Sequence, residues 1–427
     1  MPNKELECPC CGGTLQFDSK SQEIICPYCD SHFSVDSLKQ YSDDLATDKE
    51  EDVSWDESTV QAYTSQEMKG MKVYSCESCG GEIIVEETTT STCCPYCGNN
   101  VLVSKQLSGD LRPNRVISFK NEKDDVVSNL KKFFKKKPLL PNSFSKENVI
   151  EEIKPLYVPY WVFDADVEGK VRFKGETTRR WSDSSYNYKE TKFYSLVRGG
   201  HIGFDHIPVD GSRKLDDKLM ESIEPFNYDE AVEFNAGYLA GFAADRYDVS
   251  KEETFGRATQ RCREGTIQAF RNDIRGYDNV CLEDSNLQLS NTNAVYALYP
   301  VWILNTKWRD KTYRFAINGQ TGKVAGDLPI SPAKSALFWF IFFLVMAGIC
   351  VGIGALIDYL VFGIIAGVII GAIVATSVLL GMRKVNKNVK FQYGASSYVR
   401  DGSLRIELRK DIYLYKKVVR TRRESSK

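Results

Sequence analysis

Several features typical of enzymes and secreted proteins are missing from this 427-residue chain. The chain holds three histidines, of which none forms a zincin helix pair, and it contains no Gly-x-Ser-x-Gly nucleophile elbow. Gly319 precedes Gly322-Lys323 too closely for a phosphate loop, and Val324 stands where that loop requires Ser or Thr. The first 25 residues lack an apolar run, so we expect no signal peptide. We therefore predict neither enzymatic activity nor a small-molecule substrate.

Net charge is also nearly absent, at −1, but the charges are unevenly distributed. Residues 383–427 carry 14 Lys and Arg against 4 Asp and Glu, so the preceding residues are acidic overall. A charge split of this kind indicates a surface partner for the basic part. The length predicts two or more domains.

Cysteine is concentrated at one end, because ten of the 13 cysteines precede residue 98. Their paired C-x-x-C spacing indicates metal ligation in a reducing compartment. Two sets of four recur at a constant offset of 68 positions: Cys8, Cys11, Cys26, Cys29 and Cys76, Cys79, Cys94, Cys97. Two such knuckles, joined by a hairpin of about a dozen residues, complete a tetrahedral four-cysteine site. We predict two structural zinc ions, held in zinc ribbons at residues 1–35 and 71–105.

The residues around the ligands agree with this prediction. Each C-x-x-C is followed by two glycines, which permit the positive φ angle that the knuckle requires. Four cysteines leave no open coordination position, which favours a structural over a catalytic ion. Cys10 and Cys93 are interpreted as spare thiols.

The charge of the ribbons disfavours nucleic acid as their ligand. Residues 1–33 hold five Asp and Glu against two Lys, and residues 74–105 hold four Glu against Lys105. Phosphate contacts are made by Lys and Arg, so acidic ribbons repel a phosphate backbone. A protein-facing role is predicted, and a nucleic-acid-binding membrane protein that uses its zinc ribbons is the alternative.

The middle of the chain predicts a linker and an α+β body. Residues 36–70 are acidic and aperiodic, which indicates a flexible linker between the ribbons. Residues 110–332 predict a cytoplasmic α+β domain with antiparallel sheet. We expect a helix that ends before Pro138, with Val126, Val127, Leu130, Phe133 and Phe134 on its apolar face. Further helices are expected over 216–225 and 248–275, with strands from Val167 onward and on both sides of 308–311.

Residues 336–382 contain a single charge, Asp358. We predict transmembrane helices at 336–357 and 359–382, since about 20 apolar residues cross a bilayer core. Lys334 precedes this helical hairpin, and four basic residues follow it: Arg383, Lys384, Lys387 and Lys390. The positive-inside rule then places both termini of a multi-pass protein of the cell membrane in the cytoplasm. Glycines four apart, at 348 and 352 and at 363, 367 and 371, favour packing between the two spans, with oligomerisation as the alternative.

Residues 383–427 predict a basic cytoplasmic tail that lies near anionic membrane lipid. Three interpretations remain open: a solvated tail, a partner-binding segment, or a strand pair. The last depends on Arg405, Ile406, Leu408, Ile412 and Leu414, which alternate with charged residues.

The ribbons, the hairpin and several stretches of the body together resemble a known family. The stretches are YVPYWVFDADVEGK, AGYLAGFAADRYD, YPVWILNTKW and FAINGQTGKVAGDLPIS. The chain is similar to bacterial TFIIB-type zinc-ribbon membrane proteins, often labelled replication-restart helicases (primosomal protein N′), although the missing phosphate loop argues against that label. The resemblance implies a membrane protein that is encoded beside phage-shock-protein-A-like and SPFH (flotillin-like) proteins and anchors or recruits them at the membrane, and it implies no catalytic residues.

Together these patterns predict a multidomain protein with two small four-cysteine zinc ribbons, an α+β body with antiparallel sheet and a two-helix transmembrane hairpin. The function that they favour is a membrane-anchored adaptor or scaffold for such partner proteins, acting in envelope stress. Two ribbons on one flexible linker would capture a partner bivalently.

Overall fold

The computed structural model describes residues 7–19, 21–43, 55, 61–63, 68, 71–86, 94–97, 102–106, 111–145, 153–239, 241–309, 311–357, 359–385 and 389–423. Its α-helices are α1 (Val35–Asp43), α2 (Lys123–Lys135), α3 (Asp217–Ser222), α4 (Lys251–Asp273), α5 (Pro332–Leu356) and α6 (Leu360–Val385). Its strands are β1 (Gln16–Asp18), β2 (Glu23–Ile25), β3 (His32–Phe33), β4 (Gln61–Ala62), β5 (Met71–Cys76), β6 (Glu82–Glu86), β7 (Leu102–Gln106), β8 (Leu111–Arg112), β9 (Arg115–Val116), β10 (Lys154–Ser182), β11 (Tyr186–Asp210), β12 (Val232–Glu233), β13 (Ala243–Asp245), β14 (Asn279–Trp308), β15 (Lys311–Asn318), β16 (Val324–Gly326) and β17 (Arg405–Arg422).

Three unusually long strands organise the body. β10, β11 and β14 contain 29, 25 and 30 residues, whereas most strands have 3–10. β10 pairs antiparallel with β14 on one side and with β11 on the other, and β17 continues the sheet beyond β11. At about 3.3 Å per residue, β10 alone spans roughly 95 Å. We call residues 166–182, 186–203, 279–290 and 405–422 the arm, the turn end at 182–187 its tip, and the opposite end of β10 the base.

The two faces of the sheet bury different partners, because alternate residues of a strand point to opposite sides. Val167 and Phe173 belong to a core that includes Phe270 of α4, and we call this side the helix face. Val158 belongs to a second core that includes Cys94 of the second ribbon, and we call that side the ribbon face.

Helix α4 lies along the helix face. A capping box begins it, in which Oγ of Ser250 accepts from the backbone of Glu253 and the Glu253 carboxylate accepts in return. The carboxylate of its last residue, Asp273, forms ion pairs with Arg198 of β11 and Arg409 of β17. The helix therefore covers part of the arm and ends before the tip.

The secondary structure of the body follows the sequence patterns. Helix α2 buries Val126, Leu130 and Phe134, with Val127 and Phe133 partly buried, and it ends before Pro138. Helices α3 and α4 lie within the predicted ranges, and β14 and β15 flank the predicted turn at 308–311. The predicted antiparallel sheet is confirmed.

The interpretation of residues 383–427 as a separate basic tail is wrong for residues 405–422, which form one strand of the body. The strand character is thus confirmed, but the partner of this strand is β11 and not a second strand of the tail. β17 pairs antiparallel with β11 from Arg405 opposite His201 to Arg422 opposite Tyr186. Ile412 and Leu414 are buried in a cluster with Phe33 and Leu38 at the first ribbon. The strand thus completes the arm, because pairing satisfies its backbone and packing against the ribbon removes these two side chains from water.

The flexible-linker interpretation of residues 36–70 is wrong for the residues that the structure describes there. α1 extends the first ribbon to Asp43. Trp55 and Tyr63 are buried in the core of the helix face, and β4 pairs with β8. Aromatic burial of this kind fastens the segment to the body. The rest of the predicted linker lies outside the described residues.

The second ribbon is not a domain of its own, contrary to the predicted boundary between 71–105 and the body. β6 pairs with β13, which pairs in turn with β10, so β5, β6 and β7 belong to the sheet of the body. The first ribbon instead keeps its own sheet of β1, β2 and β3.

Helices α5 and α6 are long and apolar enough to cross a membrane, as the sequence predicts, and their apolar windows are largely exposed on the chain. They pack against each other through small residues. A methyl group on Gly354 would lie 2.7 Å from Cα of Gly363, and Gly367 and Gly371 also face α5. The glycines of the second span therefore serve packing within the hairpin, whereas Gly348 and Gly352 have open space beside them. Asp358 lies outside the described residues.

Candidate metal centres

The first ribbon brings its four predicted ligands together. The Sγ atoms of Cys8 and Cys29 lie 3.6 Å apart, and those of Cys11 and Cys26 lie 3.5 Å apart. All four Sγ atoms fall within 4.8 Å of one another. Backbone turns fix this geometry, since the N–H groups of Gly12 and Asp30 donate to the carbonyls of Cys8 and Cys26.

The second ribbon repeats the arrangement almost atom for atom. Sγ of Cys76 lies 3.6 Å from that of Cys97, and Sγ of Cys79 lies 3.6 Å from that of Cys94. The N–H of Gly80 again donates to the carbonyl of the first cysteine, at 2.8 Å. The constant offset in the sequence therefore corresponds to one structure built twice.

The sulfur positions fit a metal ion. A tetrahedral zinc site with Zn–S bonds of about 2.3 Å has S···S edges of about 3.8 Å. A disulfide would require about 2.05 Å. The separations of 3.5–3.6 Å match the edges of a ligand tetrahedron. Both groups are thus positioned to bind a metal ion, and all eight predicted ligands take part.

Two glycines follow each first knuckle for two different reasons. Gly12 and Gly80 adopt φ of 74° and 68°, the left-handed conformation that glycine permits. Gly13 and Gly81 instead leave room for a ring. A methyl group on them would lie 2.5 Å from Tyr28 and 2.6 Å from Tyr96, the tyrosines of the two CPYC knuckles. The sequence predicts the positive φ of the first glycine but not the space that the second glycine leaves for the tyrosine ring. The signal for that space was the repetition of the second glycine and the tyrosine in both units.

The environment of the thiols differs across each site. In the second ribbon, burial works to raise the pKa of Cys76. Hydrogen bonds from the backbone of Cys79 and Ser78 and from neighbouring thiols outweigh it and lower that pKa to about 7. Burial raises the pKa of Cys94 above its ordinary value. A divalent cation supplies the charge that allows all four thiols to ionise together.

The first ribbon shows the same division. Burial opposes ionisation of Cys29, but the hydroxyl of Ser31 and the neighbouring thiols lower its pKa to about 6. Burial raises the pKa of Cys8. The backbone N–H of Cys10 donates to Sγ of Cys8 at 3.4 Å. Cys10, interpreted from the sequence as a spare thiol, therefore supports a ligand through its backbone. Cys93 lies outside the described residues.

The two ribbons differ in their surroundings. Tyr96 is only 3% exposed, and its carbonyl accepts from Asn305 and from Arg314, which belong to β14 and β15 at the base. Tyr28, at the equivalent position, is 73% exposed. The second centre is therefore part of the body core, whereas the first presents its second knuckle to solvent.

The first ribbon rests on the ribbon face of the arm. Phe33 packs edge-on against Tyr415 of β17, with ring centroids 5.5 Å apart. Tyr41 of α1 donates to Glu283 of β14 at 3.1 Å, and the guanidinium of Arg172 lies 4.8 Å from the centroid of its ring. These contacts span the arm from one edge strand to the other.

The histidines and the strand carboxylates contribute to no described cysteine centre. His206 stacks on Tyr228 with centroids 4.0 Å apart, and its backbone N–H donates to Asp164. Asp166 accepts from Arg400 at 2.7 Å. These side chains hold strands and loops together.

Comparison with known proteins places the chain beside one curated relative. The uncharacterized protein YdjG of Bacillus subtilis (strain 168) is 32% identical over 334 residues, which cover 78% of this chain and 92% of the relative. The chain belongs to the YdjG family. No family model and no solved structure matches it. The name of the relative states no activity, so membership of the YdjG family leaves function to be argued from the structure.

Proposed function

We propose that this member of the YdjG family is a membrane-anchored, zinc-containing adaptor that recruits or scaffolds partner proteins at the cytoplasmic face of the cell membrane. One observation carries the proposal: the same four-cysteine device is built into the core once and displayed on the surface once. The displayed copy exposes the ring of its knuckle tyrosine, Tyr28, whereas the copy in the core encloses the equivalent ring of Tyr96.

The displayed surface has the character of a protein-binding site. Tyr28 and Phe17 are 73% and 56% exposed, and Val35 lies exposed at the start of α1. Aromatic anchors with an acidic surround suit a protein surface that offers an apolar pocket rimmed by basic residues. Asp18, Glu23 and Asp30 of this ribbon supply the acidic surround. The proposal therefore uses the first ribbon alone as the docking site, since the strands of the second ribbon belong to the sheet of the body.

Zinc is the ion that we assign to both centres. Four-cysteine sets with C-x-x-C knuckles are the donor set of structural zinc, and thiolates also bind iron. Each ion would hold two knuckles together and supply no reactive position, which supports a non-enzymatic role.

The membrane part sets the location. Helices α5 and α6 would form a multi-pass anchor, with Lys334 before it and Arg383 and Lys384 after it. The positive-inside rule places both ends of the hairpin, and hence both termini, in the cytoplasm. The reducing cytoplasm also keeps cysteine thiols available for metal.

The resemblance to TFIIB-type zinc-ribbon membrane proteins suggests the partner. It points to phage-shock-protein-A-like or SPFH (flotillin-like) proteins, with envelope stress as the setting. A membrane anchor and a displayed docking surface are the two parts that recruitment of such proteins requires.

Matched tyrosine variants test the proposal. The full chain is purified from detergent-solubilised membranes, and co-purifying proteins are identified by mass spectrometry for wild type, Tyr28→Ala and Tyr96→Ala. Tyr28→Ala should lose the partner while keeping its melting temperature, because that ring is exposed. Tyr96→Ala should lower the melting temperature, since an aromatic deletion in a core costs about 3–5 kcal/mol.

Two outcomes would contradict the proposal. A partner that remains bound to Tyr28→Ala and to the double variant with Phe17→Ser would place recruitment elsewhere. Co-purified nucleic acid that is lost with Tyr28→Ala would favour the nucleic-acid-binding alternative over protein capture.

A further inference from the structure

The tip of the arm carries an unusual concentration of positive charge. Residues 177–192 and 416–423 contain nine Lys and Arg against two acids, Asp183 and Glu190. The paired register of β10, β11 and β17 brings these segments side by side. Glu190 is already shared between Lys192 and Lys416, each 4.0 Å away. The tip therefore keeps a strong excess of positive charge.

Aromatic rings stand among these charges on one face. Trp181 lies opposite Tyr188 in the register, and Tyr188 lies opposite Arg420. The two rings stack, with centroids 5.4 Å apart and planes 7° apart. Arg179 lies 5.8 Å from the centroid of Trp181, and Arg420 lies 5.5 Å from that of Tyr186. Trp181 remains 40% exposed.

Strand alternation assigns this cluster to the helix face. On β10, Trp181 has the same parity as Phe173, which packs in the core beneath α4. Helix α4 ends at Asp273, and Tyr277 packs on Tyr194 just beyond it. From there to the tip, no described helix covers this face of the sheet.

The opposite face carries the acidic ribbon. Phe193 and Tyr415 stack with centroids 4.5 Å apart, and both have the opposite parity to Tyr188 and Arg420. Phe33 of the first ribbon packs on this Tyr415. The aromatic rings thus lie with Arg179, Arg420 and Arg422 on one side of the arm. The acidic ribbon packs on the other side, whose parity Arg180, Lys189 and Lys417 share.

We propose that the tip, through Trp181, Tyr186 and Tyr188 with Arg179, Arg420 and Arg422, is a binding surface for the headgroups of an anionic phospholipid bilayer. Guanidinium groups pair with lipid phosphates, and Trp and Tyr favour the boundary between headgroups and water. The acidic ribbon on the other face is repelled by the same surface, so docking turns that ribbon away from the lipid.

The ring geometry favours lipid over single-stranded nucleic acid. A base stacks on an open aromatic face. Here one face of Trp181 lies against Tyr188, Arg179 lies over the same ring, and Arg420 lies over Tyr186. The protein also carries two helices able to cross a membrane, so lipid is a surface that it would meet.

The test uses the full chain in phosphatidylcholine nanodiscs, mixed with vesicles of phosphatidylcholine with or without phosphatidylglycerol. Wild type should sediment with the phosphatidylglycerol vesicles and not with the neutral ones. The triple variant Arg179→Gln, Arg420→Gln, Arg422→Gln should bind about a hundredfold more weakly, since each basic contact contributes about fivefold. A control with Lys123→Gln, Lys132→Gln and Lys135→Gln removes equal charge from exposed positions of α2 and should bind as wild type.

Three results would overturn the inference. The triple variant binds as tightly as wild type, neutral vesicles bind equally well, or a single-stranded oligonucleotide binds wild type more tightly than the vesicles and is lost with the triple variant. The last result would identify a nucleic-acid site. Unchanged melting temperature and metal content establish that the variants fold. Partner capture should persist in the triple variant and fail in Tyr28→Ala, so this inference and the adaptor proposal fail separately.

Discussion

Arg261 and Glu224 form an ion pair inside the body, with Nη2 of the arginine 2.6 Å from Oε2 of the glutamate. Both side chains are almost completely buried, and Arg261 also donates to the carbonyl of Pro208. Tyr398, which follows the membrane hairpin in the chain, donates to the same glutamate at 2.9 Å. The pair therefore joins α4, the loop before Pro225 and the segment that returns from the hairpin.

Replacing Glu224 with Gln should destabilise the protein strongly. It leaves the Arg261 guanidinium buried without a counter-charge, which costs about 3–5 kcal/mol. Tyr398→Phe removes one hydrogen bond and should cost about 1 kcal/mol. Denaturant unfolding in detergent measures both. Equal effects of the two variants would show that the ion pair does not dominate.

Metal content should equal two zinc ions per chain by elemental analysis. Cys11→Ser and Cys79→Ser should each remove one ion, because each site loses one of four ligands. Loss of the second centre should lower the melting temperature more, since its strands belong to the large sheet. Cys10→Ser should retain both ions. One ion per chain, or iron in place of zinc, contradicts this assignment.

The equivalent glycines Gly13 and Gly81 should respond differently to alanine. A methyl group on Gly81 meets the buried ring of Tyr96, which has no space to move, and overpacking of this kind costs about 1–3 kcal/mol. A methyl group on Gly13 meets Tyr28, whose exposed ring can rotate away. Thermal unfolding of both variants measures the difference. A larger loss for Gly13→Ala would contradict the structure.

Asp245 should make stability fall as pH rises. Burial raises the pKa of Asp245 from 3.8 to about 7, although the neighbouring hydroxyls of Ser212 and Tyr96 act to lower it. A raised carboxyl pKa means that the folded state favours the protonated form. The contribution of Asp245 to the free energy of unfolding is fully present below about pH 4 and is lost as the pH rises to about 7.

Asp245→Asn should therefore be more stable than wild type at pH 8, by up to about 4 kcal/mol, and equal to it near pH 4. Melting curves at both pH values measure the effect. Asp248→Asn serves as the control, because it breaks an ion pair of 2.9 Å with Lys214 and should not stabilise at pH 8. A stability difference between Asp245→Asn and wild type that does not change with pH would show that burial of the charge is not its cause.

Topology can be read from cysteine labelling with a membrane-impermeant maleimide. Cys281 is exposed on the arm and should react only after the cells are permeabilised. Tyr359→Cys, between the two spans, should react in intact cells, because the positive-inside rule places that turn outside. The reverse pattern would place the arm and both ribbons on the outer side.

Local features of this protein could be predicted from its sequence because their causes are local. The cysteine spacing and the adjoining glycines determine each knuckle, since ligands three apart on one turn reach one ion. The run from 336 to 382, in which Asp358 is the single charged residue, determines two membrane-length helices, since about 20 apolar residues suffice to cross a bilayer core. The predicted helix α2 follows in the same way from apolar residues at helical spacing, such as Val126 and Leu130.

Only the tertiary structure decided which surfaces these parts expose. Arg405 to Arg422 pair with residues more than 200 positions earlier, and alternation alone does not identify a strand's partner. Tyr28 and Tyr96 occupy identical places in the repeat, yet one is exposed and the other is buried against β14 and β15. The grouping of the eight cysteines follows from short-range geometry, whereas exposure depends on contacts made by distant strands. For that reason the sequence determined two four-cysteine groups that could hold a metal ion, and the fold decided that one faces solvent.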